Sequence, residues 1–483
     1  MDKILKKYKS LPVQVRASLW FFICSFLQKG ISTITTPIFT RLLNTAEYGQ
    51  YNVFNSWYGI ISIFVALRLS MGVYAQGLVK FEDERDKFSS SLQGLTLTLC
   101  CAWIIVYLVF HNYLNALLKL TTVQMLALLL MVWSSAVFEF WAAEKRVTYS
   151  YKSLVILTLI VSLAKPVIGI IFVLHAEDKV TARILGLALV ELVGYSFLFF
   201  VQMRRGKQFF SEKFWKYALK FNLPLIPHYL SMTVLNSSDR IMIGSMIGEG
   251  EAGIYSLAYS IAMIMTLINT SLSSTISPWM YQKIKANKVH DISKIAHITL
   301  FIIAAANIVL IAFAPEAVTF FAPKDYHDAI YCIPPVALSV FFMFMYDLFA
   351  KFEFYYEKTP YIMVASMIGA VTNIFLNYIC IKAFGYIAAA YTTLACYILF
   401  DIMHYKFMRR VCKEYLDDVK VYNMKIILVI SIVFSALGFV YLVTYKCTAA
   451  RYGLTAMLIV LAIWKRELIR EKVKEILAIR KKN

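Results

Sequence analysis

Apolar segments recur along the whole chain, each long enough to cross a membrane as a helix. A transmembrane helix needs about 20 mostly apolar residues, and residues 89–118, for example, carry no formal charge when histidine is counted as neutral. The pattern predicts an all-α polytopic membrane protein with about 14 transmembrane helices. The predicted spans lie near residues 16–40, 50–77, 91–111, 121–142, 153–174, 183–203, 218–246, 252–279, 295–314, 329–350, 361–382, 386–407, 426–443 and 445–464.

A short pattern, E-x-G-x-Y, occurs at residues 47–51 and again at 251–255. Both copies fall between the first and second helix of a six-helix half, so they indicate two parallel repeats. A chance match of five residues is the alternative. We predict two pseudo-symmetric lobes and a C-terminal addition. The N-lobe is predicted over 1–217 and would form the cationic half of the cavity, and the C-lobe over 218–424. Residues 425–483 would form helices 13 and 14 and a basic amphipathic cytoplasmic tail.

The chain has a net charge of +20, and the positions of its Lys and Arg residues predict how it is oriented in the membrane. Hydrophobic residues make up 60% of the chain and charged residues 16%, which excludes an ordinary soluble domain. Of the 49 Lys and Arg residues, 37 fall in the N-terminal tail and every second gap, eight in the other gaps, and four inside spans. This asymmetry predicts an even number of spans with both termini cytoplasmic, and it argues against a nucleic-acid partner.

The four cations inside the spans are Lys29, Arg68, Lys165 and Arg240. A charge at membrane depth is costly unless it faces protein, water or a partner, so these residues predict a path for an anionic substrate, a staggered ladder through the membrane. Two alternatives stay open. Lys165 matches Glu191 in depth and could form a structural ion pair with it, and Arg68 lies near enough to the inner interface to snorkel.

Polar oxygen atoms come to similar depths in the second half. A carboxylate, two amides and a hydroxyl on three spans are the ligands that a small cation such as sodium accepts. The predicted coupling-cation residues are Asp239, Asn373, Asn377 and Thr393. Interhelical hydrogen-bond packing by the same groups is the alternative. Asp347 and Lys351, four residues apart on one span, are expected to form a local salt bridge.

Four stretches resemble the polysaccharide transporter family of the multidrug/oligosaccharidyl-lipid/polysaccharide superfamily, the Wzx-type repeat-unit flippases. They are TPIFTRLL at 36–43 running into EYG at 47–49, LPLIPH at 223–228, SDRIMIG at 238–244 and AGIY at 252–255. The resemblance covers the first twelve helices in order and spacing, and it places the predicted cation site where some lipid II flippase relatives are thought to bind sodium.

The resemblance also implies a substrate: undecaprenyl-diphosphate-linked oligosaccharide, a precursor of O-antigen or capsular polysaccharide. It implies transport by alternating access across the bacterial inner membrane, driven by sodium, protons or the membrane potential. The expected partners are this lipid-linked sugar, membrane lipids, and the polymerase and chain-length machinery, with the protein itself a monomer.

Two other functions remain to be weighed. A multidrug/cation antiporter of the same superfamily would not need cations such as Lys29 and Lys165 in the first half. A membrane-bound glycan polymerase or ligase would need a large outer loop with catalytic residues, and no gap is long enough for one. Without a P-loop or a CxxC pair, the sequence predicts no enzyme, no zinc site and no cofactor beyond sodium or a proton.

Overall fold

The computed structural model describes residues 12–467 and Glu471, and within them the ordered elements are helices, without β-strand. Four short 3₁₀ segments, Glu82–Glu84, Leu223–Leu225, Met263–Met265 and Lys324–Tyr331, connect some of the α-helices. The α-helices are α1 Val13–Leu42, α2 Thr45–Ala66, α3 Val73–Lys80, α4 Arg85–Leu118, α5 Thr122–Val147, α6 Tyr151–Leu174, α7 Lys179–Gly206, α8 Glu212–Asn222, α9 Ile226–Met246, α10 Glu249–Ala262, α11 Thr266–Lys285, α12 His290–Ala312, α13 Ala314–Phe321, α14 Ile333–Tyr355, α15 Thr359–Phe384, α16 Ala388–Tyr415, α17 Met424–Thr444 and α18 Thr448–Trp464.

Helices occupy all fourteen predicted span positions, so the all-α fold class is confirmed. Ten helical segments in the described part of the chain are long and apolar enough to cross a membrane. The last predicted span, α18, is apolar but only 17 residues long. The predicted amphipathic tail beyond it and the basic N-terminal residues lie almost entirely outside the described residues.

The second predicted span is not one continuous helix. The α2 helix ends at Ala66, and Leu67 and Arg68 follow with φ values of 49° and 48°. Left-handed backbone costs about 1–2 kcal/mol for a residue with a side chain. The prediction of an unbroken helix over 50–77 was therefore wrong. The break was not foreseen because leucine and arginine normally continue a helix, so neither Leu67 nor Arg68 signals a turn. Gly72, at φ 62°, is the only residue here suited to it.

Two more predicted spans are divided by 3₁₀ turns. The span predicted over 218–246 consists of α8, the turn Leu223–Leu225 and α9, with Pro224 inside the turn. Proline lacks the amide that an uninterrupted helix would use, so the change of geometry falls at this residue. The span predicted over 252–279 is divided at Met263–Met265, where no proline or glycine marks the change.

The chain forms two compact units, Met1–Ser237 and Ser238–Asn483, of which the structure describes residues 12–237 and 238–467 with Glu471. The boundary lies inside α9, twenty residues after the predicted boundary at 217. In the first unit α5 is the most enclosed apolar helix, with 67% of its span buried, and in the second unit it is α14, with 83%. Because these are the fourth and tenth predicted spans, they occupy the same place in the two halves.

The repeated pattern also falls at equivalent helix positions. Glu47 is the third residue of α2, and Glu251 is the third residue of α10. Glu47 completes a capping box with Asn44, since its carboxylate accepts from the Asn44 amide at 2.8 Å and its own amide donates to the Asn44 side chain at 2.9 Å. The glutamate of the pattern thus marks the start of a helix, and its first role is structural.

Large apolar side chains cover the outside of both units. Ile34 and Val193 in the first unit are 69% and 67% exposed, and Phe384 in the second is 79% exposed. Such surface is unfavourable in water and is expected of helices that face lipid. Near the C-terminal side of the second unit, Arg451 of α18 is buried and forms an ion pair with Glu316.

Candidate functional site

The four predicted coupling-cation residues come together inside the second unit, around Asp239. One carboxylate oxygen of Asp239 accepts a hydrogen bond from the Asn377 amide at 2.6 Å. The other accepts from the Thr393 hydroxyl at 2.8 Å and from the Tyr255 hydroxyl at 2.6 Å. Asp239 is 1% exposed, and Asn377 and Thr393 are fully buried.

A second layer of polar groups holds these ligands in place. Asn373 lies one turn before Asn377 on α15, and its side-chain oxygen accepts from Asn377 at 3.2 Å and from Ser238 at 2.8 Å. The Thr392 hydroxyl donates to the side-chain oxygen of Asn377. Asn373 therefore does not touch Asp239 itself but orients the residue that does.

The sequence places these groups for simple local reasons. Thr392 and Thr393 lie in the second turn of α16, after three consecutive alanines that are all buried (Ala388–Ala390). Small side chains let neighbouring helix backbones approach closely, so short hydroxyl groups can reach the carboxylate. Tyr255 is the last residue of the repeated pattern, and it joins the cluster from α10. Sequence analysis missed Tyr255, although the repeat had singled it out.

The cluster contains the oxygen-bearing groups that the predicted cation site requires. Asp239 is a formal anion whose three hydrogen-bond donors are all neutral groups. Rotation of the Asn377 amide would turn its oxygen toward the carboxylate, and the two hydroxyls offer lone pairs as well. One carboxylate with hard neutral oxygens suits sodium or a proton better than a divalent metal, which normally needs more charge.

Lys165, one of the predicted cations, has a defined anionic partner. Its Nζ donates to Glu191 at 2.6 Å, and Glu191 also accepts from the Ser135 hydroxyl at 3.0 Å. The Glu191 side chain is 6% exposed and that of Lys165 is 30% exposed. The structure therefore contains the ion pair that the sequence left open as the alternative for Lys165.

The other predicted cations occupy different settings. Arg68 lies in the turn after α2, so the prediction that it is part of a continuous helical span was wrong. Lys29 is exposed on α1. Arg240, half-buried on α9, lies 4.3 Å from the centre of the Tyr259 ring. The staggered ladder of these cations through the membrane stays a prediction.

Sequence analysis missed two buried charged groups in the first unit. Arg183, at the start of α7, lies between the rings of Phe39 and Tyr51, at 3.7 and 3.4 Å from their centres. Glu144 of α5 binds both terminal nitrogens of Arg205, at 3.0 and 2.7 Å. Both residues lie at the edge of a predicted span, where a charged side chain is expected to reach water, so their burial was not predicted.

The family models that match the chain assign it to the membrane transporters of the multidrug/oligosaccharidyl-lipid/polysaccharide superfamily. More narrowly, a family model described as "Polysaccharide biosynthesis protein" matches residues 15–284, more than half of the chain, so the chain belongs to this family. A second model, "MatE", matches residues 224–379. The predicted resemblance is thereby confirmed.

Solved structures and curated relatives agree with this assignment. The fold is similar to "Lipid II flippase MurJ, inward closed conformation", with a TM-score of 0.71, 16% identity and coverage of 93% of this chain and 99% of that one. It is also similar to an inward-facing multidrug resistance MATE transporter, with a TM-score of 0.62, 14% identity and coverage of 80% and 95%. "Lsg locus putative protein 1" of Haemophilus influenzae is 21% identical, over 73% of this chain and 88% of the relative.

Proposed function

We propose that this protein is a flippase for undecaprenyl-diphosphate-linked oligosaccharides, precursors of O-antigen or capsular polysaccharide. It would carry them from the cytoplasmic to the outer leaflet of the bacterial inner membrane by alternating access. The observation that carries the proposal is its fold likeness to a lipid II flippase over 93% of the chain, in a member of a polysaccharide biosynthesis family. Both termini would be cytoplasmic, and the functional neighbours would be the polymerase and chain-length machinery.

The basic residues predicted for the pyrophosphate are assigned as follows. Lys29 is the first candidate, because it is exposed on α1 and an accessible ammonium can meet a substrate. Arg68 and Arg240 are secondary candidates. Lys165 is the weakest, because an anion would have to compete with Glu191 at 2.6 Å.

We further propose that a cation bound at Asp239, Asn373, Asn377 and Thr393 drives the transport cycle. A bound ion can drive a cycle only by binding one conformation more tightly than another. The support for the site is the buried carboxylate with three neutral donors, a group that gains from an incoming positive charge.

A drug or cation antiporter is the second candidate, favoured by the "MatE" match over residues 224–379. Reconstitution in proteoliposomes separates the two functions. The flippase should move a fluorescent undecaprenyl-diphosphate glycan to the opposite leaflet and leave a cationic dye in place. Movement of the dye without the lipid would replace the proposal with the antiporter.

The same assay tests the residues. Lys29→Ala should abolish flipping while Lys29→Arg retains part of it, because the site needs charge more than geometry. Lys382→Ala, at the end of α15, is the matched control and should transport the lipid normally. Full transport by Lys29→Ala would exclude the predicted role of Lys29.

A sodium gradient across the proteoliposome membrane should accelerate lipid transport. The Asp239→Asn variant should lose this dependence on sodium.

A further inference from the structure

A second group of buried ionisable side chains lies between α14 and α16, apart from Asp239. Glu353 is 0% exposed, His404 2% and Asp401 4%. The Nδ1 atom of His404 lies 2.8 Å from Oε1 of Glu353. Asp401 lies three residues before His404 on α16, on the same helix face. Three groups that exchange protons are thus enclosed together.

Most carboxylate oxygens of this group lack the hydrogen-bond donors that a buried carboxylate anion needs. Both carboxylate oxygens of Asp401, and the second oxygen of Glu353, are buried without a hydrogen-bond partner among the described residues. An ionised carboxylate without a partner is very costly to bury, whereas a neutral carboxylic acid is much less so. The setting of Asp401 therefore fits the acid form.

Among the described residues, no lysine or arginine contacts Glu353 or Asp401. Tyr346 stacks on the His404 ring at 5.3 Å, and the nearest lysine on α14, Lys351, is already bound to Asp347 at 2.8 Å. The Tyr422 hydroxyl, from the segment before α17, donates to a backbone carbonyl of α14. Side-chain contacts bring the titratable groups Tyr346, Asp347, Lys351, Tyr361, Tyr397 and Tyr422 to the cluster or to residues packed against it.

A charge count follows from these contacts. With a neutral imidazole and two carboxylates, Glu353, His404 and Asp401 would carry two negative charges inside a membrane helix bundle. Two added protons make the cluster neutral, one on Asp401 and one shared between the Glu353 oxygen and the His404 nitrogen. Burial away from water favours this neutral state of the three side chains over the doubly charged one.

We propose that Glu353, His404 and Asp401 form a proton-binding site that holds two protons in the conformation described. Glu353 lies two residues before the end of α14, so the cluster begins near one end of that helix and continues inward along α16. Asp401 is eight residues beyond Thr393, about 12 Å along α16, which separates this site from the Asp239 cluster. The inference does not depend on what the transporter carries.

Infrared spectroscopy of the full-length protein in lipid nanodiscs tests the proton on Asp401. At neutral pH the wild type should show the carbonyl stretch of a protonated carboxylic acid, and Asp401→Asn should remove its main component. Asp347→Asn is the matched control and should leave the band unchanged, because Asp347 already has a cationic partner in Lys351 at 2.8 Å. A spectrum without the band at neutral pH, or a band that survives Asp401→Asn, would overturn the proposal.

Thermal unfolding as a function of pH provides the second readout. The folded protein keeps two protons that the unfolded chain has lost above about pH 7, so Tm should fall as the pH rises from about 7 to 9. Asp401→Asn should reduce this slope by about half, and Asp347→Asn should not reduce it. An unchanged slope of Tm against pH in Asp401→Asn would contradict the proton site. If that variant fails to fold, the wild-type protein is measured at pH 8: persistence of the infrared band supports the site, and its loss contradicts it. Neither measurement involves the substrate, so failure of the proposed function would leave both results interpretable.

Discussion

The two units neutralise their buried carboxylates in different ways. In the first unit, the two buried carboxylates each touch a cation of the same chain: Glu191 is bound by Lys165, and Glu144 by Arg205. In the second unit, Asp239 is held by neutral donors alone. The two buried carboxylates of the first unit are thus paired with cations of the chain, whereas the Asp239 carboxylate would gain from the bound cation proposed above.

The repeated E-x-G-x-Y pattern leads to the same division. Its final tyrosine is the seventh residue of α2 in one unit and of α10 in the other. Tyr51 stacks on the buried cation Arg183 at 3.4 Å, while Tyr255 donates a hydrogen bond to the buried anion Asp239 at 2.6 Å. One residue type at one position thus stabilises opposite charges, since tyrosine offers both a π face and a hydroxyl.

The largest effect is expected from breaking the ion pair of the first unit. Lys165→Ala should lower the free energy of unfolding by about 3 kcal/mol, because it leaves the buried Glu191 carboxylate without its cation. Glu191→Ala should cost about 1 kcal/mol, because the partly exposed Lys165 can reach solvent. Denaturation in mixed micelles measures both changes, and a thermal-shift assay on whole membranes gives an independent ranking.

The double variant provides the control for this pair. Lys165→Ala combined with Glu191→Ala should be nearly as stable as Glu191→Ala alone, because no buried charge is left over. Equal costs for the two single variants that add in the double variant would contradict the pair, and would assign Lys165 to solvent or substrate.

A smaller effect is expected at Arg183, whose planar guanidinium lies between two rings. Arg183→Lys should cost about 1 kcal/mol, because an ammonium cannot stack on Phe39 and Tyr51 at once. Arg240→Lys, above the single ring of Tyr259, is the matched substitution in the second unit and should cost less. The same denaturation series measures both, and the cost at Arg183 should shrink in a Tyr51→Leu background. A cost at Arg240 equal to that at Arg183 would show that the second ring is irrelevant.

The smallest effect on stability is expected at Asp239. Asp239→Asn should change the free energy of unfolding by less than about 1 kcal/mol, because it removes a charge without leaving a buried cation unpaired. Glu191→Gln in the first unit is the matched substitution and should destabilise more. Melting curves of the two variants at neutral pH make the comparison. If Asp239→Asn cost as much as Lys165→Ala, the two units would not differ as described.

Much of the architecture follows from the sequence because lipid imposes a simple rule. Helices occupy all predicted span positions because every backbone group within the hydrocarbon must be bonded inside the chain. The Asp239 cluster was predictable for a related reason. The number of residues between a side chain and the end of its helix gives its depth below the membrane surface. Asp239, Asn377 and Thr393 were predicted to lie close together because these depths are similar.

Depth says nothing about rotation around a helix or about irregular backbone. The left-handed turn at Leu67 and Arg68 is made by residues that normally continue a helix, so tertiary packing must stabilise it. Glu353 and His404 meet only because α14 and α16 turn particular faces toward each other. A pair like this, on helices adjacent in space but fifty residues apart in sequence, has no signature in a single chain.

The contact between Glu316 and the last helix has a consequence for how the protein is made. Arg451 and Tyr452 both bind the Glu316 carboxylate, yet Arg451 is synthesised 135 residues after it. During translation the glutamate therefore leaves the ribosome long before these partners exist. The start of α13 lacks both contacts until α18 has been synthesised, so the packing of the second unit cannot be completed before α18 docks.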